Sequence, residues 1–253
     1  MLRYKRITRS GAVLEQEVYD IAPNTKNLQK WEPKPINVRT HDEKEEYNRK
    51  KSLKRFVRIV NTNFSPKSFY VTLTYDNKQL PEDITDAKRD LDNYMRRLRY
   101  LFPAMVAVAV TGRGKRSGRI HFHLIISGID RETILQKWTQ GSVKRAEPLR
   151  QHNYYNGIDH GADYTGLAIY LFNHWTEEQG GKRWKQTKTI QQPGRDKPQK
   201  IKRRYSLKKP PITPKGYMLV EKRKSAFYSS GYLYFKYVRI ADHQTDENNR
   251  MLC

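Results

Sequence analysis

Residues Ser117 to Gly128 read SGRIHFHLIISG, an apolar run opened by a glycine turn and interrupted twice, one residue apart, by histidine. A strand turns successive side chains to opposite faces, so Ile120, Phe122, Leu124 and Ile126 share one face and Arg119, His121, His123 and Ile125 the other. The first set makes core. The second presents two imidazoles roughly 7 Å apart along the strand, near enough to converge on one metal ion. A lone histidine on a strand is ordinarily a surface residue, and an isolated His-x-His is a common coincidence. A pair flanked by basic turns in a strongly basic chain favours the metal. Imidazole with oxygen ligands suits Mn, Co, Ni or Zn, and with phosphate and water also Mg.

The neighbouring segments build a sheet around this strand. Upstream, AMVAVAVT (104–111) and the basic turn GRGKRSG (112–118) complete an antiparallel hairpin with RIHFHLIIS. SFYVTLTYD (68–76) is rich in β-branched and aromatic residues and reads as a further strand. Val71, Leu73 and Tyr75 form one of its faces, and Thr72, Thr74 and Asp76 the other. Asp76 is thus either a carboxylate beside the histidines or a turn-initiating residue ahead of Asn77. DITDAKRDLDNYMRRLRYLF (83–102) carries Leu91, Tyr94, Met95, Leu98 and Phe102 on one stripe and reads as an amphipathic helix closed by Pro103. DRETILQKW (130–138) reads as a helix and SVKRAEPL (142–149) as a strand. The resulting order, β, α, β, β, α, β, α, implies an α+β domain: a mainly antiparallel central sheet with helices packed on it.

Asp163 to Glu177 reads as the last helix of this set. At about 100° per residue, Tyr164, Ala168, Leu171, Phe172 and Trp175 gather on a buried stripe. Tyr170 falls on the opposite side with Asp163, Gly166, Asn173, His174 and Glu177. One exposed tyrosine among 17 is ordinary by itself. A phenol displayed from a rigid helix and aimed at a metal-bound phosphate is, however, the setting a nucleophilic tyrosine needs.

Three segments are expected: a charged N-terminal helical extension (1–63), a nuclease domain (64–178) and a basic C-terminal extension (179–253) ending in a hairpin within SAFYSSGYLYFKYV. In the first, HDEKEEYNRKKSLKRFVRIVNTNF (41–64) repeats Leu53, Phe56, Val57 and Val60 at helix spacing. The chain has 253 residues, with 50 Lys and Arg against 26 Asp and Glu, a net charge of +24. Such an excess points to a polyanionic partner, nucleic acid first. The opening MLRYKRITRSGAVLEQ has no apolar targeting stretch and no segment has spanning length, so no membrane is expected and the cytoplasm is the expected compartment. Cys253 is the only cysteine, which excludes an internal disulfide or a cysteine-built zinc site.

HFH, VTLTYD and YLFN, in that order, together resemble the motifs of the HUH endonucleases, in particular the rolling-circle replication initiators (replication-associated proteins) of small phages and plasmids. NTNF (61–64), WTQG (138–141) and YSLKKPPI (205–212) add to the likeness, which covers about residues 55 to 212. The resemblance implies a metal-dependent nicking-joining endonuclease acting on single-stranded DNA or an origin hairpin, with host replication machinery as a further partner. His121 and His123 would hold a divalent ion, Mg or Mn, and Tyr170 would attack the scissile phosphate and remain linked to the 5′ end. Two positions depart from the family pattern. The usual third ligand, often Glu, falls at Thr111-Gly112, leaving Asp76 as a candidate. The lysine that follows the tyrosine is Asn173, flanked by His174. These departures leave two other readings open, a non-catalytic DNA- or RNA-binding protein on the same fold and an HUH transposase or relaxase. For DNA contact the candidates are Arg113, Lys115, Arg116 and Arg119 in the hairpin turn, and Lys202, Arg203, Arg204, Lys208 and Lys209 in the tail, where Tyr and Phe among the cations would stack unpaired bases.

Overall fold

The computed structural model describes residues 2–21, 40–114, 117–142, 144–174, 182–225 and 231–240. In chain order these form β1 (Leu2–Ser10), β2 (Val13–Ile21), α1 (His41–Asn63), β3 (Phe69–Thr74), α2 (Ile84–Leu101), β4 (Val106–Arg113), β5 (Ile120–Ser127), α3 (Arg131–Gln136) and β6 (Lys144–Pro148). There follow β7 (Tyr154–Tyr155), β8 (Ile158–Asp159), α4 (Thr165–Asn173), β9 (Lys185–Gln186), β10 (Gly194–Arg195), β11 (Gln199–Lys200), β12 (Tyr217–Ser225) and β13 (Tyr232–Arg239). The architecture is α+β with antiparallel sheets, as the sequence implies. The chain divides into two compact units, one of residues 1–62, 152–163 and 192–253, the other of 63–151 and 164–191.

The second unit is built on a five-stranded sheet of order β6-β3-β5-β4-β9, with β5 in the middle. The period-2 pattern decides its faces. Val71, Leu73, Ala107, Ala109, Ile120, Phe122, Leu124 and Ile126 form one continuous core with Leu91, Tyr94 and Leu98 of α2 and Ile134 of α3. Trp138 is the centre of that core. Its ring meets Tyr75, Tyr94 and Phe122 edge-on at 5.3–5.7 Å, and its indole N–H donates to the Thr74 carbonyl at 2.8 Å. Burying one such aromatic contributes about 1.5–3 kcal/mol, so Phe122→Ala, which also leaves a cavity, would cost about 3–5 kcal/mol. Helices α2 and α3 each begin on an aspartate that accepts from the first turn, Asp83 from Thr85 N and Asp130 from Thr133 N. Gly141 closes the segment after α3 because a Cβ there would collide with the Thr74 carbonyl oxygen.

In the first unit a six-stranded sheet runs β10-β1-β2-β13-β12, with β11 also on β1. The sequence reading assigns no strand to residues 1–21, yet β1 and β2 form there and β2 pairs with β13. The reason lies in what β1 buries: Tyr4, Arg6, Thr8 and Ser10, a face with almost no apolar signal. Helix α1 falls where its spacing predicts and buries Phe56, Ile59 and Val60. Two carboxylates of β2 meet two of its cations, Lys54 Nζ to Glu17 Oε1 and Arg58 Nε to Glu15 Oε2, each at 2.5 Å. Burial opposes ionisation of Glu17, but Lys54 and Arg58 outweigh it and hold the carboxyl far below its ordinary range. The expected closing hairpin exists as β12 and β13, with its first arm starting earlier, at Tyr217; residues 226–230 lie outside the described residues.

Candidate active site

Opposite the Trp138 core, the other face of β5 carries His121 and His123. Register places His123 between Thr72 of β3 and Val110 of β4, and His121 between Thr74 and Gly112. The sequence reading expects a half-polar, exposed face here. Instead, His123 is only 5% exposed and Ile125, Val108 and Val110 are buried, because α4 brings two further rings over the histidines.

Those rings are Tyr170 and His174. The ring centroids of His121 and His123 stand 4.8 Å apart, His123 and Tyr170 5.7 Å, His123 and His174 5.1 Å, and Tyr170 and His174 4.0 Å. A fifth ring, Tyr70 of β3, stacks on His123 at 5.7 Å and 14°. Its hydroxyl lies 2.7 Å from His123 Nδ1, with Thr72 Oγ1 more distant at 3.3 Å. Tyr70 also hydrogen-bonds Tyr170, and burial foremost, with Tyr170 adding to it, pushes its ionisation up to about 12. It stays a phenol at any physiological pH.

Electrostatics keep both strand histidines neutral. Burial, seconded by His121 and His174, pulls His123 down to about 3, and burial also lowers His121. With its Nδ1 engaged by Tyr70, His123 leaves Nε2 buried with no hydrogen-bond partner among the described residues. His121 directs Nδ1 toward the Arg119 carbonyl at 3.2 Å. Two neutral imidazoles, one with an orphaned nitrogen and the other nitrogen held by a phenol, fit a divalent cation.

The third-ligand position is resolved in physical terms. Gly112 faces His121 across the ladder, and a Cβ there would lie 2.9 Å from His121 Nε2 and 3.0 Å from the His174 carbonyl. No side chain fits that space without a shift. Asp76 lies beyond the end of β3, where its carboxylate accepts from Ser142 N at 3.1 Å and Ser142 Oγ at 2.8 Å; these bonds hold it below the ordinary aspartate value. His174 turns Nδ1 toward the Tyr170 carbonyl at 3.0 Å. Among the described residues, no group of three or more His, Cys, Asp or Glu side chains is arranged to hold a metal.

Helix α4 is described from Thr165 to Asn173, with Tyr164 as its N-cap and His174 as its C-cap. Tyr164, Ala168, Leu171 and Phe172 are buried as expected, Tyr170 is 45% exposed, and Asn173 is exposed in the last turn. Asp163 corrects the wheel: it precedes the helix, is buried, and accepts from Lys236 Nζ at 2.7 Å. Trp175 and Glu177 lie outside the described residues, as do Lys115 and Arg116. Arg113 is exposed, whereas Arg119 donates to Asn77 and to the Tyr75 carbonyl, fastening the turn after β3. In the other unit Lys202, Arg203, Arg204, Lys208 and Lys209 are all exposed, with Arg203 5.7 Å over the Tyr205 ring. Tyr70 is absent from the residues that the sequence singles out. The period-2 rule that groups Thr72 with Thr74 includes it when carried one step back.

Residues 68–178 match the model of the Replication-associated protein ORF2 family, a family of rolling-circle replication initiators. The family resemblance read from HFH, VTLTYD and YLFN therefore holds over this segment. Comparison with curated proteins and with solved structures gave no match. Among the described residues no helix is long and apolar enough to cross a membrane.

Proposed function

We propose that this protein initiates replication by nicking single-stranded DNA at an origin, using Tyr170 as nucleophile, and by rejoining the strand through the same residue. The observation that carries the reading is the convergence of His121, His123, Tyr70, Tyr170 and His174 on one buried-to-exposed wall, inside the segment that matches a replication-initiator family.

The chemistry assigns each residue a task. The Tyr170 oxygen attacks phosphorus; the new P–O bond replaces the bond to the 3′ oxygen, which leaves and takes up a proton as a 3′-hydroxyl. The reverse reaction, with another 3′-hydroxyl attacking the phosphotyrosine, restores a continuous strand without an external energy source. A phenol ionises at about pH 10, so it needs help at neutral pH. Tyr70 supplies part of it by hydrogen-bonding Tyr170, and its own high pKa makes it a lasting donor. His174, with Nδ1 turned toward the helix carbonyl, leaves Nε2 to receive the phenol proton. His121 and His123 would hold a divalent cation, Mg or Mn, which when bound would withdraw charge from the scissile phosphate.

The absence of a side chain at Gly112 favours one second reading, a DNA-binding protein on this fold that does not cut. Incubation of the full chain with a single-stranded oligonucleotide pool in Mg or Mn separates them. A covalent adduct together with a polymerase-extendable 3′ end is expected; binding with neither product leaves the binder.

A further inference from the structure

Residues 152–161 of the first unit form a small ribbon whose tip stands open. Strands β7 and β8 are joined by Asn156 and Gly157, both at positive φ (49° and 76°), the two-residue turn that an Asn-Gly pair favours. Tyr154 and Tyr155 are adjacent in β7 and hence point to opposite faces of the ribbon. Both are nonetheless open, 71% and 67% exposed, and Ile158 beside them is also exposed. Tyr155 leans on a ring of the ribbon itself, His160, at 5.9 Å. The base below is fastened. His160 N donates to the Asn153 carbonyl at 2.8 Å, Asn153 Nδ2 to the Gly161 carbonyl at 2.7 Å, and the Asp159 carboxylate takes Gly161 N at 2.7 Å and His152 Nδ1 at 2.6 Å. Burial opposes the charge on Asp159, but His152 and the Gly161 amide outweigh it and hold the carboxyl below its usual value.

A partner protein covering this ribbon would bury one of its faces. An aromatic ring on each face of a thin, anchored finger instead suits insertion between flat surfaces that stack on both sides. In a chain of net charge +24, the polyanion carrying such surfaces is a nucleic acid with unpaired bases. We infer that the Tyr154–Tyr155 ribbon is a base-stacking finger that binds unpaired nucleotides of the single-stranded substrate. This rests on the reading of the protein as one that acts on single-stranded DNA, but not on Tyr170 chemistry. Stacking is indifferent to base identity, so the finger contributes affinity without sequence preference, and it does so without displacing counterions.

The test uses the full chain, wild type and the double variants Tyr154→Ala/Tyr155→Ala and Tyr154→Phe/Tyr155→Phe, with fluorescently labelled oligothymidylate and an abasic oligonucleotide of equal length. Loss of the rings should weaken oligothymidylate binding about tenfold or more. The log-log salt slope should stay unchanged, the phenylalanine pair should bind like wild type, and the abasic probe should not distinguish the proteins. The melting temperature should not move, since both rings lie mostly in solvent. Equal oligothymidylate affinity for wild type and the alanine pair would overturn the inference. So would an alanine-pair defect seen only as a change of oligomeric state by sedimentation, which would make the ribbon's occupant a second copy of the chain. Failure of Tyr170 to form an adduct leaves these binding measurements intact, so the two readings fail separately.

Discussion

Removing one hydroxyl, by Tyr70→Phe, isolates the support of the proposed metal site. The phenol lies 2.7 Å from His123 Nδ1, while the next available oxygen, Thr72 Oγ1, stands at 3.3 Å. Accepting a hydrogen bond from Nδ1 fixes the tautomer that keeps the Nε2 lone pair free, and Nε2 is the buried atom without a partner among the described residues. Phenylalanine keeps the stacked ring but surrenders the hydroxyl, so His123 keeps its place and loses its tautomeric preference. Loss of such a supporting partner weakens metal affinity about 10- to 100-fold, or about 1.4–2.7 kcal/mol. Unfolding stability should fall by about 1 kcal/mol or less, because the ring remains and a single neutral hydrogen bond is lost. Titration of the full chain with Mn(II), following the free ion by electron paramagnetic resonance, reads the effect directly. Thr72→Val, which removes the longer contact, should shift the titration much less. A Tyr70→Phe protein that binds Mn(II) as tightly as wild type would refute the assignment of Nε2 as ligand and Tyr70 as its support.

Gly112→Ala should displace His121 or the end of α4, since the added carbon meets His121 Nε2 at 2.9 Å and the His174 carbonyl at 3.0 Å; melting should show a loss of about 1–3 kcal/mol, with adduct formation falling further. Glu17 provides an acid-sensitive lock in the other unit. Its folded pKa is depressed, so its contribution is present above the ordinary glutamate range and lost as pH falls through that range and below; urea unfolding from pH 7 to pH 3 should show this decline, and Glu17→Gln should flatten it while costing about 3–5 kcal/mol at neutral pH by leaving Lys54 and Arg58 under-compensated. If Lys202, Arg203, Arg204, Lys208 and Lys209 contact phosphates, the log-log salt dependence of single-strand binding should flatten by about 0.7 for each cation neutralised. An unchanged slope would mark them as solvated surface.

The parts of this molecule legible in its sequence are those where burial and hydrophobicity coincide. Val71 and Leu73, Phe122 and Leu124, Leu91 and Leu98 announce their elements by period alone, and Tyr170 stands out because it breaks the apolar stripe of its helix. Strand β1 stays hidden because its inward face is Tyr4, Arg6, Thr8 and Ser10, polar groups whose burial depends on partners from β2 and from the far end of the chain. Asp163 misleads for a related reason. Its charge places it on the polar side of a helical wheel, but Lys236, distant in sequence, neutralises it in the interior. Tyr70 and Gly112 become meaningful only with register: one as the phenol against His123, the other as the gap opposite His121. The Asn-Gly turn of the 154–159 ribbon is readable locally, whereas the exposure of both tyrosines is not.

The central claim is that Tyr170 is the residue that takes the strand. Peptide mapping by mass spectrometry of the covalent protein–oligonucleotide product formed in Mg or Mn tests it most directly. The account predicts a single modified peptide carrying its nucleotide on Tyr170, no product from Tyr170→Phe, and an undiminished product from Tyr164→Phe, whose ring is buried. A nucleotide mapped to any other side chain, or a full yield of adduct from Tyr170→Phe, would contradict it.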